Sequence, residues 1–341
     1  MNVRGRSSVP GKTAFILFLH VLGWGGLVLL APSSSVPGVF GAELGLAGLG
    51  LTAYLLGLRH AFDVDHIAAI DGVTRKLSEQ GRPSASVGFW FSAGHCSLVL
   101  VLSGLLTLGA HSLAAGPAAE GAAFQVFGLA GALVAGLFLV AIGIANLKPL
   151  LAVLKQRSLP PAASGLGEGT VPAVRTPVSM VLARTSWVTD RPGGMFLVGM
   201  LFGLGLDTTL EVAFLVIAAG GLLFANPFAP VMLPVLFAAG MILLDTLNGS
   251  FMSAAYNWAS WRPDRRTHYN TVVTAIAVIA AFAVGSLQLA SVVASASGRE
   301  LVLEAGAGII RDGGGYMLTC AFLITWSVWY VRHRRSPAAA I

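Results

Sequence analysis

The sequence predicts an all-α fold: a polytopic membrane helix bundle of eight transmembrane helices, with spans one to three repeated upside down as spans four to six. Three observations carry this reading. Only 11% of the 341 residues are charged and 55% are hydrophobic, whereas soluble domains carry about 25% charged residues. Apolar stretches near 14–31, 44–70, 86–108, 122–147, 194–224, 229–258, 271–296 and 314–331 are each long enough to cross a hydrocarbon core of about 30 Å. Lysine and arginine gather on alternate loops between those stretches.

The first stretch follows Arg4, Arg6 and Lys12. Its run from Ala14 to Leu30 exceeds the usual signal-peptide core of about 7–15 residues and predicts an uncleaved first helix. The second, fifth and sixth stretches are longer than a span requires, so tilt, a break or an extension beyond the bilayer is expected there. The 42 glycines suit close helix packing in lipid. Between the fourth and fifth spans, residues 148–192 carry Pro160, Pro161, Pro172, Pro177 and Pro192 among Ser, Gly and basic residues. This composition predicts a flexible cytoplasmic loop between two halves of one transmembrane domain, 1–341. The loop holds no histidine, which excludes a His-rich metal-storage tract. Cys96 and Cys320 both lie in apolar segments and read as packing residues, not as a disulfide or a zinc site.

Counting the loops in turn, 18 of the 21 Lys and Arg residues fall on one side of the membrane, Arg299 and Arg311 on the other, and Arg59 within a span. The positive-inside rule then places both termini in the cytoplasm. The same rule accounts for the net charge of +6 without a nucleic-acid partner. The halves also match each other. Leu55-Leu56-Gly57-Leu58 resembles Leu201-Phe202-Gly203-Leu204, and Phe91-Ser92-Ala93-Gly94 resembles Phe237-Ala238-Ala239-Gly240, both at an offset of 146 residues, which also sets Asp65 on Glu211. Because three spans are odd, the second copy is inverted, the plan of many carriers that bind substrate where the repeats meet.

The chemistry is concentrated in Arg59-His60-Ala61-Phe62-Asp63-Val64-Asp65-His66. Ionisable groups at membrane depth cost roughly 2.5–3.5 kcal/mol each on insertion scales and mark function. Six acids lie in or at the ends of the spans, Asp63, Asp65, Asp71, Asp207, Glu211 and Asp245, with His20, His60, His66 and His95. A lone buried histidine reads best as a helix–helix hydrogen bond. The set as a whole does not, because Arg59 is the only cation the spans offer. Protonation would neutralise some of the acids, and a divalent transition metal, suited to imidazole and carboxylate, would neutralise two at once.

On an ideal helix His60, Asp63 and His66 form one stripe, and Asp65 lies on another face. His60 and His66 are roughly 9 Å apart along the axis, too far for one metal with bonds of about 2 Å. Either the helix is distorted, the ion is shared with another helix, or it moves between sub-sites. Asp207 and Glu211 share a face at i, i+4, and Asp245 and Asn248 stand at i, i+3. His95 adds an imidazole from the third span, and the threonines beside the acids are suited to orienting them.

These segments together resemble the nickel/cobalt transporter family. The histidine, four residues, then Asp-His signature of its second helix is matched by His60 and Asp65-His66, and its Gly-His motif by Gly94-His95. Asp207-Thr208-Thr209-Leu210-Glu211 and Gly240-Met241-Ile242-Leu243-Leu244-Asp245-Thr246 resemble its fifth- and sixth-helix motifs. Val64 and Asn248 depart from the usual Ala and Asp. The resemblance implies a secondary transporter, not an enzyme. It would import Ni²⁺ or Co²⁺ across a bacterial cytoplasmic membrane, with the ion as substrate and no cofactor. The implied metal-binding set is His60, Asp63, Asp65, His66, His95, Asp207, Glu211 and Asp245. Export by a related carrier, and an intramembrane metal-dependent hydrolase, are the alternative readings. No His-Glu-x-x-His pair supports the hydrolase.

Overall fold

The structure, a computed structural model, describes residues 9–30, 45–112, 118–157, 188–205, 231–260, 263–297 and 304–334. Among these it is helical, with no strand. The helices are α1 (Val9–Leu30), α2 (Gly45–His60), α3 (Val64–Glu79), α4 (Val87–Ser112), α5 (Ala118–Arg157), α6 (Met195–Phe202), α7 (Met232–Ser260), α8 (Pro263–Ser297) and α9 (Glu304–Arg334). Five stretches within them are long and apolar enough to cross a membrane: Pro10–Leu29, Val87–Leu105, Leu129–Leu147, Met232–Trp258 and Thr271–Ser297. Shorter apolar helices cover Pro192–Phe202 and Gly313–Val328. Their outward faces are apolar, as Val28, Leu29, Ile279 and Met317 show, a surface that suits lipid and not water.

The expected second span is not one helix. α2 ends at His60, where Phe62 N–H reaches the Arg59 carbonyl at 2.9 Å and Asp63 N–H the His60 carbonyl at 2.9 Å, tightening the last turn. Asp63 is extended (φ −63°, ψ 137°), and α3 starts at Val64. No proline or glycine lies in this break; neighbouring packing accommodates it. Gly315 of α9 lies so close to the Phe62 carbonyl that any side chain there would collide with it. Tyr316 stacks on Phe62 at 5.0 Å.

α3 occupies the centre and touches α4, α5, α7, α8 and α9. It is buried from Ile67 through Arg75, and so continues inside the protein well past residue 70, where the apolar stretch ends. Arg75, counted as a loop charge in the sequence, is only 1% exposed. Gly81, at φ +67°, ends the helix, with Arg82 N–H closing back on the Leu77 carbonyl at 2.9 Å. α5 runs to Arg157, ten residues into the expected 148–192 loop; residues 158–187 lie outside the described set.

Several crossings bring backbones into contact through glycine, and two of them resemble each other. On α2 and α7, Gly57 abuts the Phe237 carbonyl, and a methyl on Gly240 would lie 2.6 Å from the Tyr54 carbonyl oxygen. On α6 and α4, Gly199 abuts the Phe91 carbonyl and Gly94 the Phe196 carbonyl. This is the small-residue packing that lets membrane helices approach closely. α8 lies along α5, and α1 packs on α7.

Candidate metal centre

The break between α2 and α3 places two histidines where a straight helix could not. His60 is the last residue of α2 and His66 the third of α3, and their rings are 4.7 Å apart. His95 of α4 completes the group, 5.0 Å from the His60 ring and 4.8 Å from that of His66. One nitrogen from each can be chosen so that all three lie within 4.8 Å of one another. Of the possibilities left open by the sequence, helix distortion occurs, and a histidine of another helix stands beside the pair.

Nε2 of His60 faces Nε2 of His95 at 3.2 Å. Two nitrogens bonded to one first-row metal at about 2.0–2.1 Å stand about 2.9 Å apart at a right angle and about 3.3 Å apart at the tetrahedral angle. The observed spacing lies between these limits. All three histidines are at most 2% exposed. Phe91 meets His66 at 4.9 Å between ring centres, and Phe237 meets His60 at 5.5 Å. Both phenylalanines are fully buried and wall the group off from water.

The acids take different positions. Asp63, at the N-cap of α3, does not cap it; its Oδ2 lies 2.9 Å from Nδ1 of His60. Asp245 of α7 is fully buried, with Oδ2 3.6 Å from Nδ1 of His66 and accepting from Ser92 Oγ at 2.5 Å. A carboxylate on the Nδ1 side of a histidine orients the ring, a common arrangement around metal sites; Asp63 is close enough to do so for His60, whereas Asp245 stands beyond hydrogen-bond distance of His66. Asp65 points elsewhere: Oδ1 accepts its neighbour's backbone N–H at His66 (2.9 Å), and Oδ2 accepts from Gln288 Nε2 (3.0 Å). Asp207 and Glu211 lie outside the described residues.

Other polar residues settle without a metal. His20 bonds the Ile16 carbonyl (2.8 Å) and the Tyr54 hydroxyl (3.2 Å), tying α1 to α2. The Cys96 thiol meets Met241 Sδ at 3.4 Å between α4 and α7. Asp71 accepts from the Tyr256 hydroxyl, with Arg75 one turn along the same helix. Arg59 is thus not the only cation among the spans, and Asp71 has protein groups for company. The sequence reading passed over Ser92, Tyr256 and Gln288; a single amide inside the apolar Thr271–Ser297 stretch was the available signal for the last.

Comparison with known proteins bears on this arrangement. The sequence profile of the high-affinity nickel-transport protein family matches residues 46–331. The chain is 37% identical to the nickel transporter NicT of Mycobacterium tuberculosis, over 95% of this chain and 90% of that protein. It is 38% identical to the nickel transporter NixA of Staphylococcus aureus, over 92% and 91%. With the cobalt transport protein NhlF of Rhodococcus rhodochrous the identity is 35%, over 95% and 91%. No solved structure matches at a significant level. The chain belongs to the high-affinity nickel-transport protein family.

Proposed function

We propose that this family member is a secondary transporter that imports Ni²⁺ and/or Co²⁺ across the cytoplasmic membrane. The carrying observation is the buried group His60, His66 and His95, drawn together by a broken helix. In this reading the three imidazoles bind the ion. Asp63 and Asp245 orient His60 and His66, and Asp65 supports the start of α3. Three neutral nitrogens with carboxylates behind them hold a borderline divalent ion without the trapping strength of thiolates. An inside-negative potential of about 100 mV favours inward movement of a 2+ ion by roughly 4.6 kcal/mol, so entry needs no coupled ion. Asp207 and Glu211 would extend the same path, and Glu211→Gln is expected to slow transport.

Eight spans with both termini cytoplasmic remain the topology we favour, from the loop charges. The glycine crossings support the inverted repeat. Gly57 and Tyr54 of α2 meet α7 as Gly199 and Phe196 of α6 meet α4. The His60–Phe237 ring contact is mirrored by Phe91–Phe202 at 5.3 Å. α4 and α7 correspond at the 146-residue offset found in the sequence, whereas α2 and α6 correspond at 142, one helical turn away.

Reconstitution in sealed vesicles tests the function. Purified protein should accumulate labelled Ni²⁺ or Co²⁺ under an inside-negative potential. His60→Ala, His66→Ala and His95→Ala should each abolish accumulation while remaining inserted. Full accumulation by all three variants would refute the site, and absence of any metal flux in the wild type would refute the function.

A further inference from the structure

Besides the histidine group, the described residues hold other polar assemblies, among them Asp71 with Tyr256 and Arg75, Lys76 with Asp190, and Asp65 with Gln288. The third is joined to the metal centre through the backbone. Gln288 lies on α8, in a stretch otherwise apolar enough to cross the membrane. An amide there is costly unless hydrogen-bonded, and its Nε2 donates to Oδ2 of Asp65 at 3.0 Å. Among the described residues its Oε1 is buried with no partner, and donation to Asp65 is the one polar contact of the side chain.

Asp65 passes this restraint on. The first N–H groups of a helix have no acceptor within it, and the His66 N–H is one of these. Oδ1 of Asp65 accepts it at 2.9 Å. The chain of contacts therefore runs from α8 through Gln288, the Asp65 carboxylate and the His66 backbone to the His66 ring. His95 is carried separately by α4, whereas α8 packs on α3 and α5. We propose that Gln288 is a positioning residue for the metal centre: by holding Asp65 it sets where His66 stands relative to His60 and His95, and so sets metal affinity and preference. This rests on the reading of the histidine group as the metal site.

The experiment uses the full-length protein and the volume-matched Gln288→Met, which removes the donor and keeps the bulk. Reconstituted in vesicles, Gln288→Met should raise KM for Ni²⁺ about 10–100-fold, the usual loss when a supporting partner of a metal ligand is removed, with Vmax within about twofold. Its Ni²⁺/Co²⁺ preference should shift. In detergent, the visible absorption of Co²⁺ bound to the variant should change, because those bands report ligand geometry. In an Asp65→Asn background the same substitution should alter Co²⁺ affinity less than it does in the wild type.

Unchanged KM and spectrum in a folded Gln288→Met protein would overturn the proposal. So would a parallel fall of Vmax with melting temperature, or an undiminished effect in the Asp65→Asn background. Should the Met variant not accumulate, Gln288→Asn, which keeps the amide but draws it back by one methylene, is judged by the same criteria. His66→Ala separates the two levels. Loss of the Co²⁺ bands there upholds the histidine site, so that a silent Gln288→Met then counts against Gln288 alone. Bands unchanged in His66→Ala would overturn both.

Discussion

Replacing Asp245 with asparagine removes one negative charge from behind His66 and leaves the side chain's shape. The carboxylate is fully buried, so no water takes over its role. Its Oδ2 stands 3.6 Å from Nδ1 of His66, beyond the usual 2.7–3.2 Å of a formed N–H···O bond, so the role given to it in the proposed site requires the ring to move towards it. Loss of such a supporting carboxylate costs about 10–100-fold in metal affinity, or about 1.4–2.8 kcal/mol at 1.4 kcal/mol per decade. The asparagine can still accept from Ser92, whose hydroxyl now donates at 2.5 Å. Its new amide hydrogens need partners, so melting is expected to reflect a further cost of about 1–3 kcal/mol. The assay is the initial rate of labelled Ni²⁺ uptake into vesicles against concentration, with protein amount and melting temperature measured in parallel. A KM within twofold of wild type, in a variant inserted at normal level, would refute the role given to Asp245.

Three further outcomes are expected. Gly94→Ala should lower melting temperature and membrane level through overpacking of about 1–3 kcal/mol, because the added methyl meets the Phe196 carbonyl, whereas Gly25→Ala, with nothing within 4 Å, should be tolerated; equal behaviour of the two, read by thermal melting, would contradict the packing. Lys76 reaches Asp190 at 2.9 Å, but both side chains are about a third exposed, so Asp190→Asn should shift stability by no more than about 1 kcal/mol, and a larger loss on denaturation would show that this contact braces α3. A reporter active only outside the cytoplasm, fused after Arg335, should stay silent; strong activity would reverse the topology.

The positions of α1, α4, α7 and α8 were legible because each holds an apolar run long enough to cross a membrane. The break at Ala61–Asp63 was legible only as one option among several. It holds no proline or glycine, and partners that pack on it, such as Gly315 and Tyr316, lie some 250 residues away in the chain. α3 was cut short for a similar reason: Asp71, Thr74 and Arg75 look like the edge of a span, but packing from several sides buries them. Of the site, the three histidines were named from residue type and spacing. The separate positions of Asp63, Asp65 and Asp245 were not, because face angles drawn on a straight helix lose meaning once the helix is interrupted. Gln288 escaped because one amide in an apolar stretch has no spacing to betray it.

The interruption between α2 and α3 has an electrical consequence. A helix end carries roughly half a unit of charge, negative at the carboxyl terminus and positive at the amino terminus. At the break the two poles meet inside the protein, near His60 and His66. The last carbonyls of α2 attract a cation, and the first N–H groups of α3 repel it. Asp63 and Asp65 sit at the N-cap and in the first turn of α3, where their charge offsets the repelling pole, while Arg59 stands in the last turn of α2 at the attracting one. In the proposed site each of these acids would act on a bound cation twice, through its own charge and by masking a dipole. Neutralising either would make the join less attractive to a cation, even if every imidazole stayed in place.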